Sequence, residues 1–176
     1  MIDLPPYLPE IRASAEFYFG VPAPVPVILG QITQESGFDE NAISQAGAMG
    51  MLQFMPVTAK WASQAGGFGV AAPLDPKWAI KAGVWYDRHL YDRVTYPTPC
   101  GKWGAALSGY NGGERWHQRR QAAAAAPTDF WNSVRLVNPG ITAANQRENQ
   151  EYPYRIVFKH QPKFATFGPL VCKEMM

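Results

Sequence analysis

Charge is scarce in this 176-residue chain: 17% of its residues are Asp, Glu, Lys or Arg, and the formal net charge is +2. So weak a balance gives no footprint for nucleic acid, whose binding rests on a concentrated basic surface. At most it is compatible with an anionic polymer. Cysteine is nearly absent, with only Cys100 and Cys172. Two residues so far apart can form one disulfide or none, and spacing does not choose between them. No metal-ligand pattern occurs either. The three histidines, His89, His117 and His160, are isolated and match no zinc spacing, so neither metal nor cofactor is expected. No apolar run is long enough to cross a bilayer, which argues against stable membrane insertion. The first twenty residues, MIDLPPYLPEIRASAEFYFG, lack a basic start followed by an apolar stretch and do not read as a secretory signal. Strand alternation, internal repeats and an interdomain linker are all missing.

What remains points to one helical domain spanning residues 1–176, a length that suffices for one core and is short for two. Aromatic residues are plentiful, with 6 Trp, 8 Tyr and 9 Phe. Core packing is the default reading of any one of them, while a surplus suits a cleft that stacks against sugar faces. Proline and glycine punctuate the chain. Helices are expected over residues 7–19, 25–37, 56–64, 77–91 and 101–110, and over 115–126 with its five alanines. On the helix over 77–91, Trp78, Gly83, Val84 and Leu90 are assigned to a buried side, and Lys81, Asp87, Arg88 and Asp92 to a wet one. Thr128 is placed as the cap of a short helix reaching Arg135. A last helix over 143–160 is expected to bend at Pro153, with an irregular tail after Pro162.

The stretch that organises the rest begins at Glu35. Val25, Ile28, Leu29 and Ile32 recur at helical spacing, and Glu35 follows three residues after Ile32 on the same face. A carboxylate at the C-terminal end of a helix, on its buried side, is disfavoured in its charged form by burial and by the helix dipole. A raised pKa is therefore expected, which suits a proton donor near neutral pH. Residues 38–55 read as a loop rich in Gly, Ala, Ser and Met. Gly47 and Gly50 allow tight turns and close approach of a ligand to the main chain, and Gln53 offers a donor and an acceptor.

The run Glu35, Ser36, Phe38, Asp39, Ala42, Ser44, Gly47, Ala48, Gly50, Gln53, Met55, Pro56, Thr58, Ala59 spells E-S-x-F-D-x-x-A-x-S-x-x-G-A-x-G-x-x-Q-x-M-P-x-T-A. It resembles the signature of the soluble lytic transglycosylases, lysozyme-like enzymes that cut bacterial peptidoglycan. Two later stretches add to the resemblance. Ala105 to Gly113 is similar to the family's A-x-A-Y-N-x-G motif, with Ser108 and Gly109 where alanines are usual. Glu148 to Tyr152 is similar to E-T-R-x-Y, with Gln150 in place of the arginine and Pro153 following where valine is common. The resemblance covers residues 35–152. It implies a mainly α, lysozyme-like domain of the goose-type lysozyme and lytic transglycosylase kind, with a substrate cleft.

By this resemblance Glu35 is the catalytic acid, and Ser44, Gln53, Met55, Tyr110, Asn111 and Glu148 bind substrate or line the cleft. The Tyr110 hydroxyl would orient Glu35, and Glu148 would lie on the cleft floor. Many glycosidases stabilise the positive sugar carbon with a second carboxylate. None stands at an obvious partner position here, since Asp39 belongs to the local turn and is read as its cap. The family uses the substrate's own N-acetyl group and 6-hydroxyl instead, so the expected reaction cleaves the MurNAc–GlcNAc β-1,4 bond and leaves a 1,6-anhydro end. A water-using muramidase and a non-catalytic glycan-binding virion module are the alternatives. The expected partners are peptidoglycan glycan strands and other virion or lysis proteins. With no export signal read at Met1, delivery from a phage virion, or residence in the host periplasm or wall, is expected.

Overall fold

The structure is a computed structural model and describes residues 5–173. Seven α-helices order the described residues: α1 Leu8–Phe19, α2 Val25–Glu35, α3 Pro56–Gly66, α4 Pro76–Asp92, α5 Pro99–Gly112, α6 Glu114–Ala123 and α7 Ala143–Tyr154. A short 3-10 turn forms Val134–Leu136. Past α7, the backbone winds as a π-helix over Arg155–His160 and as a 3-10 helix over Gln161–Phe167. Among the described residues the only strand-like pairings are isolated bridges, Ile43 with Met49 and Met49 with Phe54. The chain divides into two compact units. One comprises the residues up to Tyr86 with His160–Leu170; the other comprises Asp87–Lys159 with the stretch from Val171.

The first unit is built around α2. Proline opens the helix and Ser36 closes it, its amide donating to the Ile32 and Thr33 carbonyls. The expected apolar stripe of Val25, Ile28, Leu29 and Ile32 is fully buried, and burial extends round the helix to Val27, Gly30 and Gln31. The reason is that α2 is flanked by α1 and by the 3-10 helix at Gln161–Phe167. Arg12 Nη2 donates to the Phe167 carbonyl at 3.1 Å, and His160 Nε2 lies 3.2 Å from Gln34 Oε1. Truncating Ile28 or Leu29 to alanine in such a site costs about 2–5 kcal/mol. The segment after Pro162, expected to be irregular, is thus helical before it loosens at Gly168, because it packs on α2.

In the second unit α5 carries the small residues expected of it. Thr98 caps it, its Oγ1 accepting from Gly101 N at 3.1 Å, and Pro99 opens it. A Cβ on Gly104 would lie 2.3 Å from Phe130 Cδ1, so glycine is what lets Phe130 sit against the helix. Phe130 joins Val94, Tyr96, Ala105 and Val134 in a buried cluster. Cys100 and Cys172 form a disulfide across a sequence separation of 72.

Other expectations differ from the structure. Asp87, assigned to the wet side of α4, is 1% exposed. It stands four residues after Gly83 and three after Val84, so helical period places it in the buried stripe, and its charge misled the assignment. The helix over 115–126 stops at Ala123, and Ala124 turns extended (ψ 140°) three residues short of Pro127. Thr128 caps no helix. Asp129 takes over, its Oδ1 accepting from Asn132 N at 3.0 Å, and only the 3-10 turn at Val134–Leu136 follows. Glu35 itself is only partly buried, since α2 ends there and the chain turns away. The bend expected at Pro153 appears as the change from α to π winding two residues later.

Candidate functional site

Glu35 is the last residue of α2. Directly after it, Ser36 Oγ donates to the Met51 carbonyl at 2.9 Å and ties the helix end to the far side of the 38–55 loop. The loop holds its own shape through a small set of backbone bonds. Gly50 N donates to Ala42 O at 2.8 Å, and Met49 and Phe54 exchange two bonds of 3.0 Å. Gly50 has φ +75°, and a Cβ there would lie 1.8 Å from the Pro73 carbonyl oxygen. The close approach expected at Gly50 is therefore of the chain's own backbone, at Pro73, rather than of a ligand. Gly47, at φ +85°, has open space around it.

This frame orients the site side chains. Gln53, itself at φ +47°, donates from Nε2 to Gly50 O at 2.9 Å and Ala42 O at 3.3 Å. Its amide hydrogens are thus taken by the loop, which leaves Oε1 as the acceptor it can offer. Ser44 Oγ accepts from Ala48 N at 3.0 Å and keeps its hydroxyl hydrogen for another partner. Met55 is 43% exposed, next to the exposed Val57 and Trp61 on the first turns of α3.

The acidic residues that follow Glu35 in this unit serve local structure. Asp39 Oδ1 accepts from Asn41 N at 2.9 Å, as the turn reading requires. Glu40 accepts from the Tyr7 hydroxyl. Asp75 Oδ1 accepts from Lys77 N at 2.8 Å and Trp78 N at 3.3 Å, capping α4.

In the second unit, Tyr110 and Asn111 occupy the last turn of α5, and Glu148 lies on α7, which packs against α5. Asn111 Nδ2 donates to Glu148 Oε1 at 3.2 Å. These two residues line a cavity of about 250 Å³ together with Trp116, Ile141, Asn145 and Asn149. The guanidinium of Arg119 stands 4.7 Å over the Trp116 ring. Sequence reasoning missed Trp116, Asn145 and Asn149. Only Asn149 sat in a flagged motif, and nothing in the sequence spacing singled out the other two. A larger cavity of about 730 Å³ lies beside the Cys100–Cys172 disulfide and contains none of the motif residues. Among the described residues no group of three or more His, Cys, Asp or Glu could hold a metal, and no helix is long and apolar enough to cross a membrane.

Residues 22–132 match the family described as Transglycosylase SLT domain. The chain belongs to that family. The matched span takes in Glu35, the whole loop motif, Tyr110 and Asn111, while Glu148 lies beyond it. Among relatives of this SLT domain, the membrane-bound lytic murein transglycosylase C of Haemophilus influenzae, in strains PittEE and PittGG, is 37% identical over 116 residues. That alignment covers 61% of this chain and 31% of the relative, so the chain spans about a third of the length of the curated relatives it matches. Two solved structures share the fold. An inactive variant of lytic transglycosylase Slt from Pseudomonas aeruginosa superposes with a TM-score of 0.67 at 18% identity, over 94% of this chain and 25% of that one. The 70 kDa soluble lytic transglycosylase of Escherichia coli gives 0.68 at 21% identity, over 92% and 25%. The SLT domain here therefore has the mainly helical, lysozyme-like architecture that its motifs imply.

Proposed function

We propose that this SLT domain is a peptidoglycan lytic transglycosylase that cleaves the MurNAc–GlcNAc β-1,4 bond, with Glu35 as general acid and then general base. The observation that carries this reading is the commitment of Asp39, Glu40 and Asp75 to turns, a tyrosine and a helix cap. A hydrolase of the paired-carboxylate kind needs a second acid poised as nucleophile or as base for water. Here the acids that follow Glu35 in its unit are bound into local structure.

Glu35 donates its proton to the glycosidic oxygen as the bond from the muramic acid C1 breaks. The acetamido oxygen of the same sugar closes onto C1 and carries the positive charge. The 6-hydroxyl then attacks C1, the acetamido oxygen leaves, and the hydroxyl proton passes to the Glu35 carboxylate, which returns to its starting state. No water is consumed. An internal hydroxyl held in line has an effective molarity on the order of 10⁵ M or more, enough to outrun solvent. Ser44, through its hydroxyl hydrogen, and Gln53, through Oε1, are the polar contacts to the glycan, and exposed Met55 is an apolar one. In the other unit Asn111 and Glu148 present a donor and an acceptor to a sugar, with Trp116 as an apolar wall. Tyr110 keeps the supporting role that its motif implies.

Mass spectrometry of the soluble muropeptides tests this reading. They should end in 1,6-anhydro-muramic acid, one water lighter than lysozyme products, and resist borohydride reduction. Reducible products that carry the extra water would establish a muramidase. Failure to release any product from purified walls would leave a glycan-binding module.

For the setting, we propose delivery from a phage particle to the host wall, with other virion or lysis proteins as partners. The Cys100–Cys172 disulfide supports a site of action outside the reducing cytosol. Detection of the chain in purified particles would support this delivery; its absence from them would refute it.

A further inference from the structure

Two residues of the second unit depart from the motifs quoted above, and they are bonded to each other. Ser108 fills the variable position of the A-x-A-Y-N-x-G pattern, where alanine is usual, and Asn149 stands where E-T-R-x-Y has threonine. Ser108 Oγ donates to Asn149 Oδ1 at 2.9 Å, and Asn149 Nδ2 returns a bond to the Ser108 carbonyl at 3.0 Å. The other hydrogen of Nδ2 goes to Asn111 Oδ1 at 2.9 Å. Asn111 in turn donates from Nδ2 to Glu148 Oε1 at 3.2 Å. Asn149 is 3% exposed and Ser108 is 1% exposed, so this chain of bonds is anchored in the core and ends at the cavity. Gly112 makes it possible: a Cβ there would lie 2.5 Å from Asn149 Nδ2.

The direction of each bond follows from the one before it. The Asn149 amide has both hydrogens and its oxygen engaged, so a flip would lose its bonds to the Ser108 carbonyl and to Asn111 Oδ1. Its hydrogen fixes the Asn111 oxygen inward, which turns the Asn111 NH₂ towards Glu148 and the cavity. One Glu148 oxygen is thereby held, and the other is left to accept. A donor and a charged acceptor, set side by side in about 250 Å³ beside an indole wall, suit the N–H and C=O of one acetamido sugar.

We propose that Asn149, locked by Ser108, is a positioning residue that sets Asn111 and Glu148 to bind an N-acetylhexosamine of the glycan strand. This rests on the function proposed above and adds to it the residue that aligns the sugar-binding pair. Binding of purified GlcNAc–MurNAc oligosaccharides by calorimetry, and KM and kcat on purified glycan strands, form the test. Asn149→Ala should weaken binding and raise KM about tenfold, with kcat within about threefold, since it loosens a charge-assisted contact made in ground state and transition state alike. Ser108→Ala, which leaves the fold undisturbed if alanine is tolerated as in the motif, should show the same effect at about threefold. Because Asn149 acts through Glu148, Asn149→Ala combined with Glu148→Gln should be no worse than the more severe single change. Melting temperatures of all variants, with assays run well below them, separate positioning from loss of fold. Additive effects, or an affinity and KM unmoved in both single variants, overturn the proposal while an active wild type leaves the transglycosylase reading standing. A wild type that neither binds nor cleaves overturns both.

Discussion

At the scale of the residue, the proposed chemistry rests on one side chain. Glu35 ends α2 where helix and loop meet, and Ser36 anchors that junction to Met51. Glu35→Gln keeps the shape and cannot donate a proton. It should lower wall clearance by about two to four orders of magnitude while the circular dichroism spectrum stays that of wild type. A variant clearing walls at a rate near wild type would remove Glu35 from the acid's role. Gln53 builds the loop with its amide hydrogens, and in the proposed function its oxygen is what meets the glycan.

At the scale of the element, the 38–55 loop depends on a few backbone positions that admit no side chain. Gly50 is the strictest, combining a left-handed φ with a carbonyl 1.8 Å from where a Cβ would be. Gly50→Ala should therefore cost about 3 kcal/mol or more, read as a fall in melting temperature accompanied by lost activity. Gly47→Ala meets no neighbour and carries only the backbone cost of about 1 kcal/mol. Equal losses in the two variants would show that the Pro73 contact is not what constrains the loop. α6 offers a second case. His117 is 1% exposed, with Arg120 one turn on, and Tyr96 Oη lies 3.3 Å from its Nε2. Burial, reinforced by the Arg120 charge, pushes the His117 imidazole down to about 4. The folded state then holds His117 neutral where the unfolded chain, near 6.5, binds a proton. Stability from this residue is complete above about pH 6.5 and is lost as the pH falls towards 4, by roughly 3 kcal/mol in all. Denaturant melts at pH 7 and pH 4.5 should show this loss. His117→Gln should flatten the slope, and an unchanged slope would assign the acid sensitivity to other groups.

At the scale of the whole molecule, the disulfide is the one covalent tie, and it spans a sequence separation of 72. Closing a loop of that length in the unfolded chain is worth about 4 kcal/mol on the chain-entropy account. Replacing both Cys100 and Cys172 with serine should therefore lower the melting temperature by several degrees, and reduction of the wild type should lower it equally. A melting point indifferent to reduction would contradict this. The motif-bearing residues outside the second unit should retain their local hydrogen bonds, because the loop around Gln53 is closed by its own backbone.

The sequence by itself determined whatever local interactions decide. Pro56 and Gly67 bound α3, and the spacing of Val25 to Ile32 sets the buried helix that ends at Glu35, while α5 begins at Pro99, two residues before the expected start. Caps, turns and helical period act over a few residues, so they can be read from neighbours in the chain. The loop motif was legible by its resemblance to a known family, and the family match takes it in. What lay beyond the sequence were contacts between distant positions. Asn149 meets Ser108 and Asn111 at separations of 41 and 38 residues, and Cys172 meets Cys100 at 72. Glu148 stays exposed on α7, and only the packing of α7 against α5 joins it to Asn111. Asp87 is a different case: its helical period marked it for the buried stripe, and its charge argued the other way. No periodicity encodes which helix a given face will meet; that choice is made by the collective burial of apolar surface, which only the folded chain resolves.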